Sequence, residues 1–409
     1  MDHLTRFVNK PQVIKKLLLH PGVLYGLVFG AVGGIVLLYG SHAATSSSSI
    51  ELEDGVRNGN LSLTVDSNAS GGSAVKFAAP STGGATVLPN PGTWTNATGN
   101  LAGMPSECGD LTSVFPGSTN TSTSIIAGVA LKGLWASSNG STTWTKLPGS
   151  SIITNRPSTI DYDPANPSTY YESGIYNGGG VYKTTDNGAT FTQLGSIGHN
   201  DHVSIDYTDA NRQTLLAGGH EQSQTVYKST NGGNTWTNIG GGLPGGTGFS
   251  SQTMVVNSQT YLVGTNPSWG GGTAGIYRTT NGGTSWTKVS SLGPESAILV
   301  TKNGTYYWKT NSGVIAKSTD QGQTWTSVGS NLGLGPVELP DGRIVATQGN
   351  NLAVSADGGQ TWTNFGASLP YNPQSIMYSA GNGAFYISHF DCKFDGTDAI
   401  LPDAVMKLR

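Results

Sequence analysis

The chain is poor in cysteine and in charge. Only two cysteines occur in its 409 residues, and Asp, Glu, Lys and Arg together make up 11% of them. Two cysteines cannot form a disulfide framework, although an exported protein could use them for one bridge. The formal net charge of −3 excludes the strongly basic character on which nucleic-acid binding depends. We therefore expect no nucleic acid among the partners.

Three familiar catalytic motifs are also missing. The chain contains no Gly-x-Ser-x-Gly elbow, no phosphate-binding loop and no His-Glu-x-x-His zinc motif. Four residues could still be considered as metal ligands, but none of them falls in a known ligand spacing: His199, His202, His220 and Asp391. We expect neither a metal nor another cofactor.

Residues 1–44 have the pattern of a membrane-targeting segment. Four basic residues between positions 6 and 16 precede an uncharged apolar run over residues 23–40. Basic flanks stay in the cytoplasm, so the rest of the chain is expected outside it. The run is close to the minimum for a spanning helix, and Ser41-His42-Ala43 followed by Ala44 resembles a signal-peptidase site. A cleaved signal peptide and a retained transmembrane anchor both fit, so we expect a protein that is secreted or held at the cell membrane.

Residues 45–92 are expected to be a linker and a short lead-in. Two pieces faintly resemble parts of a jelly-roll carbohydrate-binding module, residues 51–53 and 71–77. Such a module needs many more strands than this segment can supply.

What the chain has in abundance is glycine, 60 residues in all, and an eight-residue repeat. The repeat reads Ser/Thr-x-Asp/Asn-x-Gly-x-Ser/Thr-aromatic, and we call each copy a box. Five copies fit every position, and one has Ser141 where the glycine should be. The boxes span residues 137–144, 184–191, 229–236, 279–286, 318–325 and 355–362.

The spacing of the boxes predicts an all-β propeller. Their aromatic residues lie 37 to 50 residues apart, and a four-stranded propeller blade needs roughly 40–45. Asn or Asp followed by Gly favours a hairpin turn because these residues tolerate positive φ. Each box is therefore expected to join the third and fourth strands of a blade. The side chains predicted to bond the turn are Asp186, Asn231, Asn281, Asp320 and Asp357, and those predicted to pack between sheets are Trp144, Trp236, Trp286, Trp325 and Trp362.

The two ends of the propeller region are expected to share the seventh blade. After the last box, residues 373–409 supply three strand-like segments but no fourth. The sequence Thr93-Trp94-Thr95-Asn96 matches Thr361-Trp362-Thr363-Asn364 and looks like the end of a box. We predict a seven-bladed propeller over residues 93–409 in which the strand around Trp94 closes the ring, which removes open sheet edges.

The boxes resemble the Asp-box repeats of sialidase-like β-propellers. Segments such as Asp161 to Pro167 also resemble the xyloglucanase-type propellers, and the likeness covers about three quarters of the chain. The resemblance implies a fold and leaves the activity open, because this repeat occurs in glycosidases, sorting receptors and assembly factors. Sialidases hold a substrate carboxylate with three convergent arginines, and Arg156 alone is placed suitably here. The resemblance therefore does not imply a sialidase mechanism.

Strand order predicts which polar residues share one face of the ring, here called the top face. It holds the loops that enter first strands and the loops that join second to third strands, whereas the boxes lie on the opposite face. First-strand entrances contribute Glu107, Arg156, Asp201, His202, Glu295 and Asn372. The other loops contribute Lys132, Tyr176, Asn177, His220, Glu221, Trp269, Lys309, His389 and Asp391, with Trp308 at the edge of the set.

These residues predict an exported, monomeric, carbohydrate-active propeller that acts on an extracellular glycan or polysaccharide. Two carboxylates facing a sugar bond suffice for glycoside hydrolysis, and we favour Asp201 and Glu221 because they share a blade. The further candidates are Glu295, Asp391 and Glu107. The candidate ligand-binding residues are Arg156, Tyr176, Asn177, His202, His220, Trp269, Trp308 and His389.

The alternative is a propeller that binds a glycan or a protein without catalysis. Each polar candidate could equally bond a loop or meet solvent, and Trp269 could pack in its loop rather than stack on a sugar. The absence of a complete sialidase set favours this alternative.

A disulfide is expected at the ring closure. Cys108 enters the first blade and Cys392 lies in the top loop of the seventh, and these blades are neighbours. A bridge would link the seam by closing a long loop, as export permits. Two free thiols are the other interpretation.

Overall fold

The computed structural model describes residues 61–65, 73–77, 92–104, 106, 113–119, 122–388 and 405–408. In these residues seven four-stranded antiparallel sheets form a β-propeller, beside a separate two-stranded sheet. The small sheet pairs β1 (Leu61–Val65) with β2 (Ser73–Phe77). No α-helix occurs in the described residues, and none of their helical segments could cross a membrane. The prediction of an all-β, seven-bladed propeller is confirmed.

Blades 1 to 6 each use four strands in chain order. The first strand of the propeller region is β3 (Thr95–Asn96), which belongs to blade 7. The strands of blades 1 to 3 are β4 (Ser113–Pro116), β5 (Ile125–Val129), β6 (Gly133–Ser137), β7 (Thr145–Lys146), β8 (Arg156–Tyr162), β9 (Tyr170–Ile175), β10 (Val181–Thr184), β11 (Thr192–Gln193), β12 (Asn200–Ile205), β13 (Leu215–Gly219), β14 (Val226–Ser229) and β15 (Thr237–Asn238).

The later blades repeat this pattern. The strands of blades 4 to 6 are β16 (Phe249–Val255), β17 (Tyr261–Asn266), β18 (Gly275–Thr279), β19 (Thr287–Ser290), β20 (Leu299–Val300), β21 (Tyr306–Lys309), β22 (Ile315–Ser318), β23 (Thr326–Val328), β24 (Val337–Glu338), β25 (Ile344–Gln348), β26 (Asn351–Ser355) and β27 (Thr363–Phe365). Short 3-10 helices span Gly99–Leu101, Pro148–Ile152, Gly240–Gly242 and Ser268–Gly270.

Blade 7 combines three C-terminal strands with one from the start of the propeller region. Its order is β28 (Ser375–Ser379), β29 (Ala384–Ser388), β30 (Val405–Leu408) and β3. The pairing of β3 with β30 places Thr95 opposite Lys407. The backbone N–H of Ala97 donates to the carbonyl of Val405 at 2.7 Å, which extends the contact past β3.

The core lies between neighbouring blades. Within the described residues, buried apolar side chains form seven clusters. One of them packs Phe115 and Ile126 of blade 1 against Tyr170 and Tyr182 of blade 2. Strands such as β5 are buried at all five positions, which explains their continuous apolar sequence, since a strand covered on both faces has no reason to alternate.

The boxes form tight turns held by their own side chains. The Asp320 carboxylate accepts hydrogen bonds from the backbone N–H groups of Gln323 and Thr324, both at 3.0 Å, and from the hydroxyls of Ser318 and Thr324, at 2.7 and 2.6 Å. Gly322 has φ +78°, and a Cβ there would lie 2.6 Å from Leu262 of the preceding blade. A side chain at that position would therefore meet both backbone strain and a clash.

Two of the box tryptophans also tie neighbouring blades together. The indole N–H of Trp144 donates to the carbonyl of Ala97 at 3.1 Å, and that of Trp236 donates to Leu194 at 3.0 Å. Both acceptors directly follow the fourth strand of the preceding blade. Trp94 makes the equivalent bond to Ala367 at 3.3 Å, just beyond β27. Trp94 thus occupies the position of a box aromatic in blade 7.

Several predictions concern residues outside the described part of the chain. These are the N-terminal targeting helix, the proposed Cys108–Cys392 bridge, and the candidates Glu107, His389 and Asp391.

Candidate functional site

The described top-face candidates of blades 2 to 4 meet in one cluster. Arg156 begins β8, and Tyr176 directly follows β9. Asp201 lies in β12, where the register with β13 shifts between Asn200 and His202. His220 and Glu221 follow β13. Strand entrances and second-to-third loops therefore share one face, as the strand order predicts.

A buried Asp–His pair lies at the centre of this cluster. The His220 Nδ1 atom is 2.9 Å from the Asp201 Oδ1 atom, and both side chains are at most 1% exposed. On its other side, His220 Nε2 is 3.1 Å from the Tyr176 hydroxyl and 3.6 Å from Glu221 Oε1. The imidazole thus joins two carboxylates and a phenol from two blades.

The charges around the two imidazoles of the cluster push their pKa values in opposite directions. Burial by itself lowers the pKa of His220, but the Asp201 and Glu221 carboxylates outweigh this effect and raise it. Burial also lowers the pKa of His199, and the neighbouring His220 lowers it further. His220 therefore takes up a proton before His199 does as the pH falls.

Three rings and a guanidinium form one wall of the cluster. The ring centroids of Tyr176 and His199 are 4.8 Å apart, and those of Tyr176 and His220 are 5.1 Å apart, both edge to face. The Arg156 guanidinium lies 4.9 Å from the centre of the Tyr176 ring, within the range of a cation–π contact. The wall is therefore cross-linked between blades 2 and 3.

The backbone of this site is strained at several residues. Four residues of the cluster adopt left-handed conformations: Tyr176 (φ +56°), Asn177 (+44°), His199 (+61°) and Glu221 (+53°). Such values are uncommon outside glycine, and they persist only where the surrounding structure enforces them. Hydrogen bonds such as the one from the His220 N–H to the His199 carbonyl, at 2.7 Å, supply that enforcement.

An open pocket of about 460 Å³ adjoins the ring wall. Its lining consists of Arg156, Tyr176, Asn177, Gly178, Gly179, Gly198 and His199. Three glycines leave much of the wall as bare backbone, so the side chains of the remaining four residues determine its chemistry.

An exposed tryptophan stands beside the cluster on blade 4. Trp269 is 54% exposed, the largest fraction among the exposed large apolar residues of the described chain. Its indole N–H donates to Glu221 Oε1 at 3.1 Å, and its ring meets Phe249 edge-on with centroids 5.5 Å apart. The ring is therefore held in place while much of its surface faces solvent.

The row of polar contacts continues to blade 5. The Asn266 amide N–H donates to Glu295 Oε1 at 3.3 Å, and the Lys309 ammonium forms an ion pair with the Glu295 carboxylate. Lys132 and Asn372 lie in the corresponding loops of blades 1 and 7.

Three sequence predictions need correction. Trp308 is fully buried, packs in an apolar cluster and donates its indole N–H to the Ser296 carbonyl at 2.6 Å, so it presents no surface to a ligand. Asp201 is equally inaccessible and is bonded to His220, so it cannot face a sugar bond directly. His202 is also buried, with 6% of its surface exposed.

Sequence reasoning missed the structural part played by His199. It was considered only as a metal ligand, although its position two residues before Asp201 placed it in the same strand entrance. Among the described residues, no group of three His, Cys, Asp or Glu side chains could hold a metal ion.

Comparison with known proteins supports the fold. Residues 243–383 match the DUF6242 β-propeller domain. The chain superposes on the GH74 enzyme of Niastella koreensis with a TM-score of 0.52 and 20% identity, over 70% of this chain and 52% of that one. The superposition shows that the chain shares the β-propeller fold of this enzyme. The chain spans about half the length of this enzyme.

Two further structures resemble the chain. The GH74 xyloglucanase of Xanthomonas campestris gives a TM-score of 0.49 and 16% identity, over 77% of this chain and 55% of that one. YCF48 from Cyanidioschyzon merolae gives a TM-score of 0.50 and 14% identity, over 77% of this chain and 98% of that one. No curated protein sequence matches the chain. At these identities the likeness concerns the fold alone.

Proposed function

We propose that the protein is an exported, monomeric carbohydrate-binding propeller that holds a glycan on its top face. The exposed ring of Trp269 carries this proposal. A sugar presents an apolar face that packs well on an aromatic ring, and Trp269 is already held by Glu221 and Phe249. Binding to such a preorganised ring loses little conformational entropy.

Binding without turnover fits the carboxylates better than hydrolysis does. Asp201 is buried against His220, Glu221 accepts the Trp269 indole N–H, and Glu295 is paired with Lys309. Glycoside hydrolysis needs two carboxylates that face the scissile bond. Each of these three candidates already has a structural partner.

Export is part of the proposal. Its support is the basic flank, apolar run and small-residue site within residues 1–44. A glycan-binding propeller on the outer side of the membrane would meet polysaccharides whether its N-terminal segment is cleaved or kept as an anchor.

Trp269→Ala tests the proposal in the purified full-length protein. We expect the wild type to bind members of a glycan array, and we expect the variant to bind them about tenfold more weakly, because it loses the stacking surface. Isothermal titration with the best glycan measures the difference. Trp269→Phe is the matched control, since it keeps an aromatic ring and should retain most of the affinity. Equal affinities for the wild type and Trp269→Ala would overturn the proposal.

Glycoside hydrolysis is a second candidate because Glu221 lies 3.6 Å from the His220 imidazole, a group able to exchange protons with it. Release of reducing ends from xyloglucan and other polysaccharides would favour it. Glu221→Gln should then abolish release, because the amide cannot accept a proton from the reaction. No release from any polysaccharide on the array would exclude this candidate while leaving the binding proposal intact.

A further inference from the structure

We propose that the pocket between blades 2 and 3 binds an anionic group carried by the glycan, a carboxylate or a sulfate, and that His199 strengthens this binding in acid. The inference rests on the proposed function, because the ligand is still a sugar. It adds the class of sugar and a pH dependence.

The charge of the pocket lining favours an anion. Of its seven residues, Arg156 is a permanent cation, His199 becomes one on protonation, and none is acidic. A guanidinium offers a planar fork of N–H donors that suits carboxylate and sulfate oxygens. The side chain is 5% exposed and its guanidinium lies over the Tyr176 ring, so its direction is fixed before a ligand arrives.

The pocket wall is built from backbone that comes too close for side chains. A Cβ on Gly179 would lie 2.5 Å from the Gly174 carbonyl oxygen, and a Cβ on Gly198 would lie 2.5 Å from that of Gly179. Gly178 has φ +83°, which disfavours any other residue. The glycines therefore let the backbone segments of the wall approach one another closely, and Arg156 and His199 line the pocket that this wall borders.

His199 is the group whose charge changes within the pocket. Its ring packs against Tyr176 and against His220, at 4.8 Å in both cases. The other groups that influence it are the carboxylates of Asp201 and Glu221, which His220 already contacts. Within the described residues, these carboxylates and the Arg156 cation of the pocket lining are the charges around it.

The sign of the pH dependence follows from linkage. Burial and His220 lower the pKa of His199, so it is neutral near pH 7 in the free protein. An anion in the pocket stabilises the protonated imidazole and raises this pKa. Since binding and protonation favour each other, affinity must rise as the pH falls through the range in which His199 titrates.

Three matched probes test the proposal in the full-length protein: cellotetraose, a sulfated cellotetraose and a tetrasaccharide of the same length ending in glucuronate. At about pH 5.5 we expect one or both anionic probes to bind about tenfold more tightly than the neutral one. At about pH 8 this advantage should shrink several-fold. The sulfate keeps its charge over the whole range, so its profile reports the protein alone. Which anionic probe binds identifies the anionic group.

Arg156→Gln should abolish the advantage of the anionic probes. Arg343→Gln is the matched control, because it removes an arginine that pairs with Asp341 in a turn of the opposite face. Equal affinities of all three probes for the wild type, or a pH-independent advantage, would overturn the inference. Failure of every probe to bind, together with a silent glycan array, would instead count against the proposed function.

A spectroscopic measurement covers the case in which the buried Arg156 variant does not fold. Histidine resonances of the wild type should show the His199 pKa rising when the sulfated probe saturates the site. His199→Gln assigns the resonance and should flatten the pH profile of affinity. An unchanged His199 pKa in the saturated protein would contradict the proposal.

Discussion

Single buried acids shape the stability of this propeller. Asp161 lies near the end of β8, where burial raises its pKa to about 8 and the charge of Asp163 adds to the rise. Burial also raises the pKa of Glu172 well above its ordinary value, although an amide N–H of Asn155 bonds its carboxyl at 3.3 Å. Both acids are thus more easily protonated in the folded protein than in the unfolded chain.

Asp161→Asn should flatten the pH dependence of folding. The folded-state pKa exceeds the unfolded value near 4, so the stability that Asp161 contributes is present below about pH 4 and is lost as the pH rises toward 8. The asparagine amide does not ionise, so the variant avoids the cost of burying a charged carboxylate. Above pH 8 the variant should therefore be more stable than the wild type by a few kcal/mol. Melting temperatures between pH 4 and 9 measure this. A wild-type melting temperature that rises steadily over this range, with an unchanged slope in the variant, would contradict it.

At the same scale, residue type alone could not decide the role of Asp201. Its position at a strand entrance correctly predicted the top face, but a buried hydrogen-bonded carboxylate and an exposed catalytic one have the same sequence pattern. Burial depends on His220, which is 19 residues away in the chain. The role of Trp308 could not be decided from the sequence either, because its side chain is buried only by the packing of blade 4 against blade 5.

The box turn is an element whose sequence nearly determines its geometry. Boxes with Asn and boxes with Asp form the same hydrogen bonds, except that the bond to the Ser or Thr hydroxyl runs in the opposite direction. The Asn231 Nδ2 group donates to the Thr235 hydroxyl at 2.8 Å, whereas the Thr324 hydroxyl donates to the Asp320 carboxylate. Both residues accept the backbone N–H four positions later. The hydroxyl of the final Ser or Thr serves as acceptor or donor as required.

Asp320→Asn should therefore be nearly neutral, whereas Asp320→Ala should destabilise the protein. Alanine leaves the backbone N–H groups of Gln323 and Thr324 without their acceptor, and asparagine replaces it. We expect a fall of several degrees in melting temperature for alanine and about one degree for asparagine at pH 7. The pKa of Asp320 is lowered by these bonds, so the wild-type advantage over alanine should shrink as the pH falls through the acidic range. Equal melting temperatures for the two variants would contradict this interpretation.

A second repeated contact, which joins neighbouring blades, could not be predicted from the box pattern. A lysine of a third strand reaches the box of the following blade: Lys228 donates to the Gly282 carbonyl, Lys317 to Gly358 and Lys407 to Gly140, at 3.1, 2.9 and 3.1 Å. Their ammonium groups also lie over tyrosine rings. The lysines are evident in the sequence, but their partners lie about 40 residues or more away and depend on how blades pack.

At the scale of the whole molecule, the junction of blades 6, 7 and 1 is where distant parts of the chain meet. Trp94 donates to Ala367 of blade 6, the Ala97 N–H donates to Val405 of blade 7, and Trp144 of blade 1 donates to the Ala97 carbonyl. We propose that these contacts close the ring, since the bonds of the Trp94 indole and of the Ala97 N–H join residues about 300 positions apart in the chain.

Trp94→Ala should loosen this junction. Truncating a half-buried tryptophan should cost about 2 kcal/mol, and the loss should speed amide hydrogen exchange in β3 and β30 well before global unfolding. Trp325→Ala is the matched control, because its indole N–H bonds within its own box, to Gly322 at 3.1 Å. Hydrogen exchange followed by mass spectrometry compares the two. Equal protection of β30 in Trp94→Ala and Trp325→Ala would show that Trp94 has no special part in closure.

The sequence by itself determined the repeating unit, the number of blades and the face on which each loop lies. These follow from local turn chemistry and from spacing along the chain, and both are readable in residues such as Asp320 and Gly322. Only the tertiary structure decided which top-face residues touch, which are buried and where the pocket opens. Such properties arise from packing between blades, which brings Tyr176, His199 and His220 together across two sheets, and no local pattern encodes that distance.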